Sequence, residues 1–268
     1  MKDLRNKRAA AEAQASANAI KQVSQARRVD PEGDKTIAVN KNTARTAGLL
    51  YLVAVLTGMF SLLYVPSHIT VAGNASATVD NIVAHNSLFR LGIAMELIGH
   101  VVFLLLPFVL YKLLSPVNRE AATLMVAFAV MSVPLSFVNN VNKLDILSLL
   151  SGADYLRAFT VEQLHARVML SLDAYDNGIL VSTIFWGLWL LPFGYLVFKS
   201  GFLPKVLGIL LMIGGFGYLV NFLGVELLPG YAGTTMARVV RMPAALGELG
   251  TCLWLLIIGA REPASSVG

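Results

Sequence analysis

The residues of this sequence that could do chemistry are ionisable side chains inside strongly apolar stretches. Glu96 and His100 are four residues apart in the stretch 90–114, a spacing that puts both on one face of a helix. Glu248 lies in the middle of another such stretch, and Arg241 precedes it by seven residues, or two helical turns. An ionisable group in hydrocarbon is costly unless it is paired or hydrated, so each of these is a candidate for binding a ligand or a metal ion.

Further polar residues stand at the ends of two other apolar stretches. Asn139 and Asn140 follow the third stretch, and Asp173 and Asp176 precede the fourth. The predicted ligand-binding candidates are therefore Glu96, His100, Asn139, Asn140, Asp173, Asp176, Arg241 and Glu248.

Each candidate also has a purely structural interpretation. Glu96 and His100 could stabilise their own helix, and Glu248 could pair with Arg241 on the same helical face. The asparagines could cap helices or hold them together. The two aspartates could lie in water where a helix enters the membrane.

The catalytic alternative is a membrane hydrolase with a bound metal ion. Glu96, His100 and Glu248, together with Asp173 or Asp176, would be an oxygen-rich set with one imidazole, suited to zinc or manganese. The sequence has no H-E-x-x-H motif, no G-x-S-x-G nucleophile and no phosphate-binding glycine loop, so we assign no metal ligand or catalytic residue. It identifies no cofactor, and it leaves open whether the protein is an enzyme.

Composition sets the fold class to which these residues belong. The chain of 268 residues is 56% hydrophobic and only 14% charged, whereas about 25% of the residues in a soluble domain are charged. The single cysteine, Cys252, excludes a disulfide framework. We predict an all-α polytopic membrane protein.

Six apolar stretches predict a six-helix transmembrane bundle, since about 20 residues of helix cross a bilayer. The predicted spans are 47–65, 90–114, 121–138, 178–198, 203–222 and 239–259. Pro66 is expected to end the first span. The fourth and fifth spans are separated by only four residues and must form an antiparallel hairpin. Thr160 and Gln163 fit a capping box for a helix that runs on into the fourth span.

Loop charges predict the orientation of this bundle. Basic residues at Lys112, Arg119, Lys199, Lys205 and Arg261 all fall at one end, which the positive-inside rule places in the cytoplasm. Both termini are then cytoplasmic. Arg238 and Arg241 depart from the pattern, because they lie at the outer end of the last span.

The two ends of the chain are predicted to be tails outside a single transmembrane domain at 46–260. Residues 1–45 hold ten of the 21 Lys and Arg but five of the 16 Asp and Glu, which indicates a basic, flexible cytoplasmic tail. Residues 261–268 are a short second tail. Membrane lipids are the expected partners. Nucleic acid is not expected, because the basic tail has no aromatic residue to stack on bases, and no protein partner is identified.

Several separated motifs resemble the DUF4386 family of bacterial integral membrane proteins over about residues 45–260. The matching pieces are Ala47-Gly48-Leu49-Leu50-Tyr51, Phe89-Arg90-Leu91-Gly92, Ser151-Gly152-Ala153-Asp154-Tyr155-Leu156, Phe185-Trp186-Gly187-Leu188, Gly194-Tyr195-Leu196, Lys199-Ser200-Gly201, Pro204, Leu207-Gly208, Gly217-Tyr218-Leu219, Leu228-Pro229-Gly230-Tyr231 and Gly247-Glu248-Leu249. The resemblance implies a six-span protein of the bacterial plasma membrane. It brings no catalytic or ligand-binding residue with it.

The polar candidates all fall in the outer half of the predicted bundle. This asymmetry predicts an outward-facing polar pocket lined by the second, third, fourth and sixth spans. The expected function is binding or transport of a small solute or lipid. The alternatives are the metal-dependent hydrolase and a structural or partner subunit whose polar residues only lock helices together.

Overall fold

Long apolar helices make up most of the protein. The computed structural model describes residues 41–259, which belong to one compact unit; residues 1–40 and 260–268, and with them nearly all of both predicted tails, lie outside the described part. Six helical segments of the described chain are long and apolar enough to span a membrane: Lys41–Ile69, Asn86–Leu114, Arg119–Leu149, Val161–Lys199, Lys205–Leu227 and Thr235–Ile257. The prediction of an all-helical, multi-pass membrane protein is confirmed.

The α-helices of the described residues are numbered in chain order. They are α1 (Lys41–Met59), α2 (Val65–Ile69), α3 (Ala75–Ala84), α4 (Asn86–Leu114), α5 (Arg119–Asn139), α6 (Val141–Leu149), α7 (Val161–Lys199), α8 (Lys205–Leu227), α9 (Thr235–Val239) and α10 (Met242–Ile257). A π-helical turn, Phe60–Tyr64, joins α1 to α2, and short 3-10 turns lie at Asp154–Ala158 and Tyr231–Gly233.

The long helices pack in a ring that follows the order of the chain. The most extensive contacts join α1 to α4, α4 to α5, α5 to α7, α7 to α8, α8 to α10, and α10 back to α1. The short connections make successive helices antiparallel, so the bundle has two distinct ends. We call the end that holds Lys41, Leu114, Arg119, Lys199 and Lys205 the closed end, and the opposite one the open end.

An apolar core seals the closed end. Leu106, Leu110, Leu190, Phe193 and Leu211 are fully buried there, together with residues of α1, α5 and α10. A second, smaller cluster packs α3 against α4, α6 and α7 at the open end. The closed end is therefore solid, while the open half is left with space between the helices.

Glycines bring α7 and α8 into backbone contact, which confirms the predicted hairpin. A Cβ atom placed on Gly194 would lie 2.7 Å from the carbonyl oxygen of Gly208, and one on Gly187 would lie 2.7 Å from that of Gly215. Such approach is typical of membrane helices, where small residues let backbones pack closely without a hydrophobic drive between helices.

The prediction that Pro66 ends the first span is wrong. The helix continues through Pro66 to Ile69, and Thr70 then turns to an extended conformation. The π-helical turn precedes the proline, and the Val65 N–H bonds the carbonyl of Phe60, five residues back. Pro66 thus lies in the first turn of α2, where its missing N–H costs little.

The third and fourth membrane segments, Arg119–Leu149 and Val161–Lys199, extend further than the predicted spans. The chain remains helical beyond residue 138, with a break at Asn140 between α5 and α6. The predicted capping box is confirmed: the Thr160 hydroxyl accepts from Gln163 N at 3.3 Å, and Gln163 Oε1 accepts from Thr160 N at 2.9 Å. The helix that begins there runs unbroken to Lys199.

We predict that Gly194→Ala destabilises the protein and Gly58→Ala does not. Both exchanges add one methyl group in a helix, but at Gly58 nothing lies within 4 Å of the new Cβ. Overpacking at a close contact costs about 1–3 kcal/mol, while alanine in an open helical position is favoured over glycine. Thermal unfolding of the purified variants in detergent measures the difference, and equal midpoints for the two variants would contradict the packing described for the hairpin.

Candidate functional site

A cavity of about 770 Å³ lies between the helices in the open half of the bundle. Residues of all six membrane segments line it, and not only those of the second, third, fourth and sixth, as predicted. Its ionisable lining residues are Glu96, His100, Asp176, Arg238, Arg241 and Glu248.

Aromatic side chains form the part of the lining nearest the closed end. Tyr51, Phe103, Trp186, Trp189 and Tyr218 contribute to it. The ring of Trp189 is buried against that of Phe103, with 5.2 Å between centroids, and against that of Tyr51, with 6.3 Å. The cavity therefore has an aromatic floor with Glu248 beside it, and the other ionisable side chains of the lining lie nearer the open end.

Glu96 is held by a buried ion pair. Its Oε2 accepts from Lys143 Nζ at 2.7 Å, and its Oε1 accepts from the Tyr175 hydroxyl at 2.6 Å. Lys143 Nζ also lies 3.8 Å from the centroid of the Tyr175 ring. Glu96 is 4% and Lys143 6% exposed. This cluster of Glu96, Lys143 and Tyr175 joins α4, α6 and α7.

His100 lies beside this cluster, as its spacing from Glu96 predicts. Its Nε2 is 3.7 Å from Glu96 Oε1 and 3.2 Å from Asn140 Nδ2. Its ring meets that of Phe137 edge to face. Glu96, His100 and Asn140 are thus brought together, although Asn140 stands behind the lining of the cavity.

Asn139 and Asp173 do not line the cavity. Asn139 is buried, and its Nδ2 donates to the carbonyl of Tyr175 at 2.9 Å, so it holds α5 against α7. Asp173 is exposed on α7. Asp176, one turn further along α7, is exposed and reaches the lining.

Glu248 lies at the aromatic floor on the opposite wall. Its Oε1 accepts from the Tyr51 hydroxyl at 2.9 Å, which links α10 to α1. The alternative interpretation, in which Glu248 pairs with Arg241, is wrong: Arg241 Nε donates to the carbonyl of Ala237 at 2.9 Å, and no ion pair of Arg241 is formed within residues 41–259. The seven-residue spacing would allow Arg241 and Glu248 to pair on one helical face, but the guanidinium of Arg241 is hydrogen-bonded to the backbone carbonyl four residues before it.

Sequence reasoning missed Lys143, Tyr175 and Tyr51. Lys143 stands in the polar run after Asn139, beyond the predicted third span. Tyr51 falls in an apolar stretch where an aromatic residue is ordinary, and Tyr175 stands between the two candidate aspartates that precede the predicted fourth span. The one available signal was Lys143 itself, a cation at the end of a span that already carried two asparagines.

The described residues contain no group of three His, Cys, Asp or Glu side chains arranged to hold a metal ion. Glu96 is instead surrounded by an ammonium and a hydroxyl, and Glu248 by a hydroxyl. The oxygen-rich set that the hydrolase interpretation needs does not converge in the part of the chain from Lys41 to Gly259.

Comparison with known proteins identifies the family. Residues 46–259 match the family described as a domain of unknown function, DUF4386, and the chain belongs to that family. It is also similar to an uncharacterized protein of Archaeoglobus fulgidus, with 34% identity over 90 residues. That match covers 34% of this chain and 51% of the relative, so the chain matches about half the length of this relative. No solved structure matches.

We predict that Lys143→Met strongly destabilises the bundle. The variant leaves Glu96 buried without its counter-charge, and removal of one partner of a buried ion pair costs about 3–5 kcal/mol. The double variant Glu96→Gln/Lys143→Met is expected to be more stable than Lys143→Met alone. Thermal unfolding in detergent measures the parent, the two single variants and the double variant.

Arg157→Met is the matched control for this series. Arg157 pairs with Asp154 at 3.1 Å, but these side chains are 83% and 89% exposed, so solvent screens the pair and little stability should be lost. Strictly additive effects of Glu96→Gln and Lys143→Met would contradict a direct contact between the two charges.

Proposed function

We propose that this member of the DUF4386 family binds, and in that way carries or senses, a small amphiphilic solute or lipid in the cavity between its membrane helices. The observation that carries the proposal is the combination of an aromatic floor with a charged rim in one cavity. An apolar body would contact the floor, and a polar head would meet the rim.

The size and lining of the cavity support a small-molecule ligand. Binding pockets for small molecules commonly measure about 300–1,000 Å³ and are mostly apolar, with a few polar groups that fix orientation. Here the polar groups besides the ionisable ones are hydroxyls such as Thr57, Ser61, Ser136 and Thr183.

The side of the cavity between α1 and α10 supports entry from the lipid. Near the closed end these helices touch: a Cβ on Gly48 would lie 2.5 Å from Leu256 N, and Cys252 Sγ is 3.6 Å from the carbonyl of Gly48. Towards the open end, Met59, Leu63 and Met242 line the cavity although they are 53%, 63% and 56% exposed. Side chains that are both lining and exposed mark a place where the cavity reaches the surface of the bundle.

The carboxylates of Glu96 and Glu248 hold different walls of the cavity in this proposal. Both oxygens of Glu96 are engaged by Lys143 and Tyr175, so Glu96 serves to hold the wall of the cavity. Glu248 accepts a hydrogen bond from Tyr51, so it serves to hold α10 to α1 beside the aromatic floor.

Loop charges support an orientation with the open end outside the cell and both termini in the cytoplasm of a bacterial cell. Lys112, Arg119, Lys199 and Lys205 all lie at the closed end, which the positive-inside rule assigns to the cytoplasm. The cavity would then face the outer leaflet of the plasma membrane.

We predict that a neutral brominated monoacylglycerol quenches the fluorescence of Trp186 and Trp189 saturably. Both tryptophans line the cavity, and Trp254, which does not, is replaced by phenylalanine. Gly58 also lines the cavity with open space around its Cβ, so Gly58→Leu should fill part of the cavity and weaken the quenching several-fold.

The control is Gly233→Leu, the same exchange at an open position away from the cavity, which should bind the probe like the parent protein. Quenching that rises linearly with the probe and is unaffected by Gly58→Leu would indicate only lipid around the bundle, and would refute the proposed function.

The proposed orientation predicts opposite labelling of two cysteines introduced into a Cys252→Ala protein. Ser151, at the open end, and Glu120, at the closed end, are both exposed. In intact cells a membrane-impermeant maleimide should label Ser151→Cys, and should label Glu120→Cys only after the cells are lysed. The reverse pattern would place the closed end outside.

A further inference from the structure

Two arginines lie at the rim of the cavity, one helical turn apart. Arg238 is in α9 and Arg241 immediately precedes α10. Both side chains are exposed, and both line the cavity. We call them the arginine pair.

The arginine pair has no acidic partner. Among residues 41–259 three acid–base pairs lie within 4.0 Å, and they involve His100, Lys143 and Arg157. Arg241 Nε donates to the carbonyl of Ala237, which fixes that guanidinium on its own helix, and neither arginine forms another hydrogen bond to the described residues. The terminal NH₂ groups of both side chains are therefore available to a ligand.

The carboxylate nearest along the chain, Glu248, lies too deep to neutralise the pair. It is seven residues beyond Arg241, or about 10 Å along the helix axis, and its bond to Tyr51 keeps it at the aromatic floor. The arginine pair thus lies at the rim and Glu248 at the floor. Asp176, the exposed acidic residue of the lining, is on α7 and forms no ion pair with either arginine.

We propose that the arginine pair binds an anionic head group, a carboxylate or phosphate, of an amphiphile whose apolar chain lies in the cavity. Guanidinium groups match the planar geometry of such oxyanions and form strong, charge-assisted hydrogen bonds with them. The arginines hold the head at the rim, and the apolar chain points towards Trp186 and Trp189 at the floor. The inference rests on the proposed function and names the chemical class of its ligand.

An anionic head group would explain why two arginines lie at the rim of the cavity. Arg90, Arg157 and Arg167 also lie at the open end. Of the arginines at this end, only Arg238 and Arg241 line the cavity, and the described residues give this pair no acidic partner. A cation retained at the rim of a cavity in the membrane is accounted for by an anionic guest.

The test compares dibromostearate, which is anionic, with its neutral glycerol ester as quenchers of Trp186 and Trp189 in the Trp254→Phe protein. The parent protein should bind the anionic probe more tightly than the ester. Arg238→Gln and Arg241→Gln should each lower the affinity for the anionic probe by about tenfold, which is the scale expected for loss of a hydrogen bond to a charged group. Binding of the ester should be unchanged.

Arg90→Gln is the matched control. Arg90 is exposed at the open-end part of α4, outside the cavity lining, and its Nε donates to Asn86 Oδ1 at 2.7 Å. This exchange removes one positive charge from the same end of the bundle and should leave the affinity for both probes unchanged. Arg238→Lys/Arg241→Lys keeps the charge and should retain part of the preference for the anionic probe.

The outcomes separate this inference from the proposed function. If both probes bind saturably and with equal affinity in the parent and in the glutamine variants, the anionic head group is refuted while the amphiphile site stands. If neither probe quenches saturably, the proposed function itself is refuted. Displacement of dibromostearate by inorganic phosphate alone would identify a water-soluble anion as the ligand and overturn the amphiphile.

Discussion

The ion pair between Glu96 and Lys143, with 2.7 Å between Oε2 and Nζ, is the contact on which the open half of the bundle depends. Neither charge is tolerated alone in an apolar interior, so the three helices that carry Glu96, Lys143 and Tyr175 must stay together. Lys143 belongs to α6, which follows a break in the helix at Asn140. The ammonium of Lys143 points inward from α6, and the pair holds α6 against α4 and α7.

The opposite wall is built differently. α1 and α10 are joined near the closed end by backbone contact at Gly48 and by the hydrogen bond from Tyr51 to Glu248. Beyond these contacts α1 gives way to the π-helical turn Phe60–Tyr64, and α10 packs against α1 rather than against that turn. The ion pair holds α4, α6 and α7 together near the open end, whereas α1 and α10 are joined only near the closed end and the floor of the cavity. The cavity reaches the surface of the bundle on the second wall for that reason.

The sequence predicted the features that are encoded locally. Each span is a run of apolar residues, and the capping box at Thr160 needs only a partner three residues away. Glu96, His100 and Glu248 stood out because ionisable groups are rare in such runs. The partners of the two carboxylates could not be predicted, because Lys143 is 47 and Tyr175 is 79 residues from Glu96, and Tyr51 is 197 residues from Glu248. Those pairings depend on how the helices close into a ring.

The packing of the two ends of the bundle distinguishes a protein that binds a ligand from one that forms a path through the membrane. At the closed end, backbones meet where Gly194 faces Gly208 and where Gly48 faces Leu256, and buried leucines and Phe193 fill the space between them. Opening a path there would expose this core and separate surfaces in direct contact, whereas the open half already contains space for a ligand. Entry and release on one side need no such change. The packing is therefore more compatible with the proposed binding of a ligand from the open side than with a channel through the bundle.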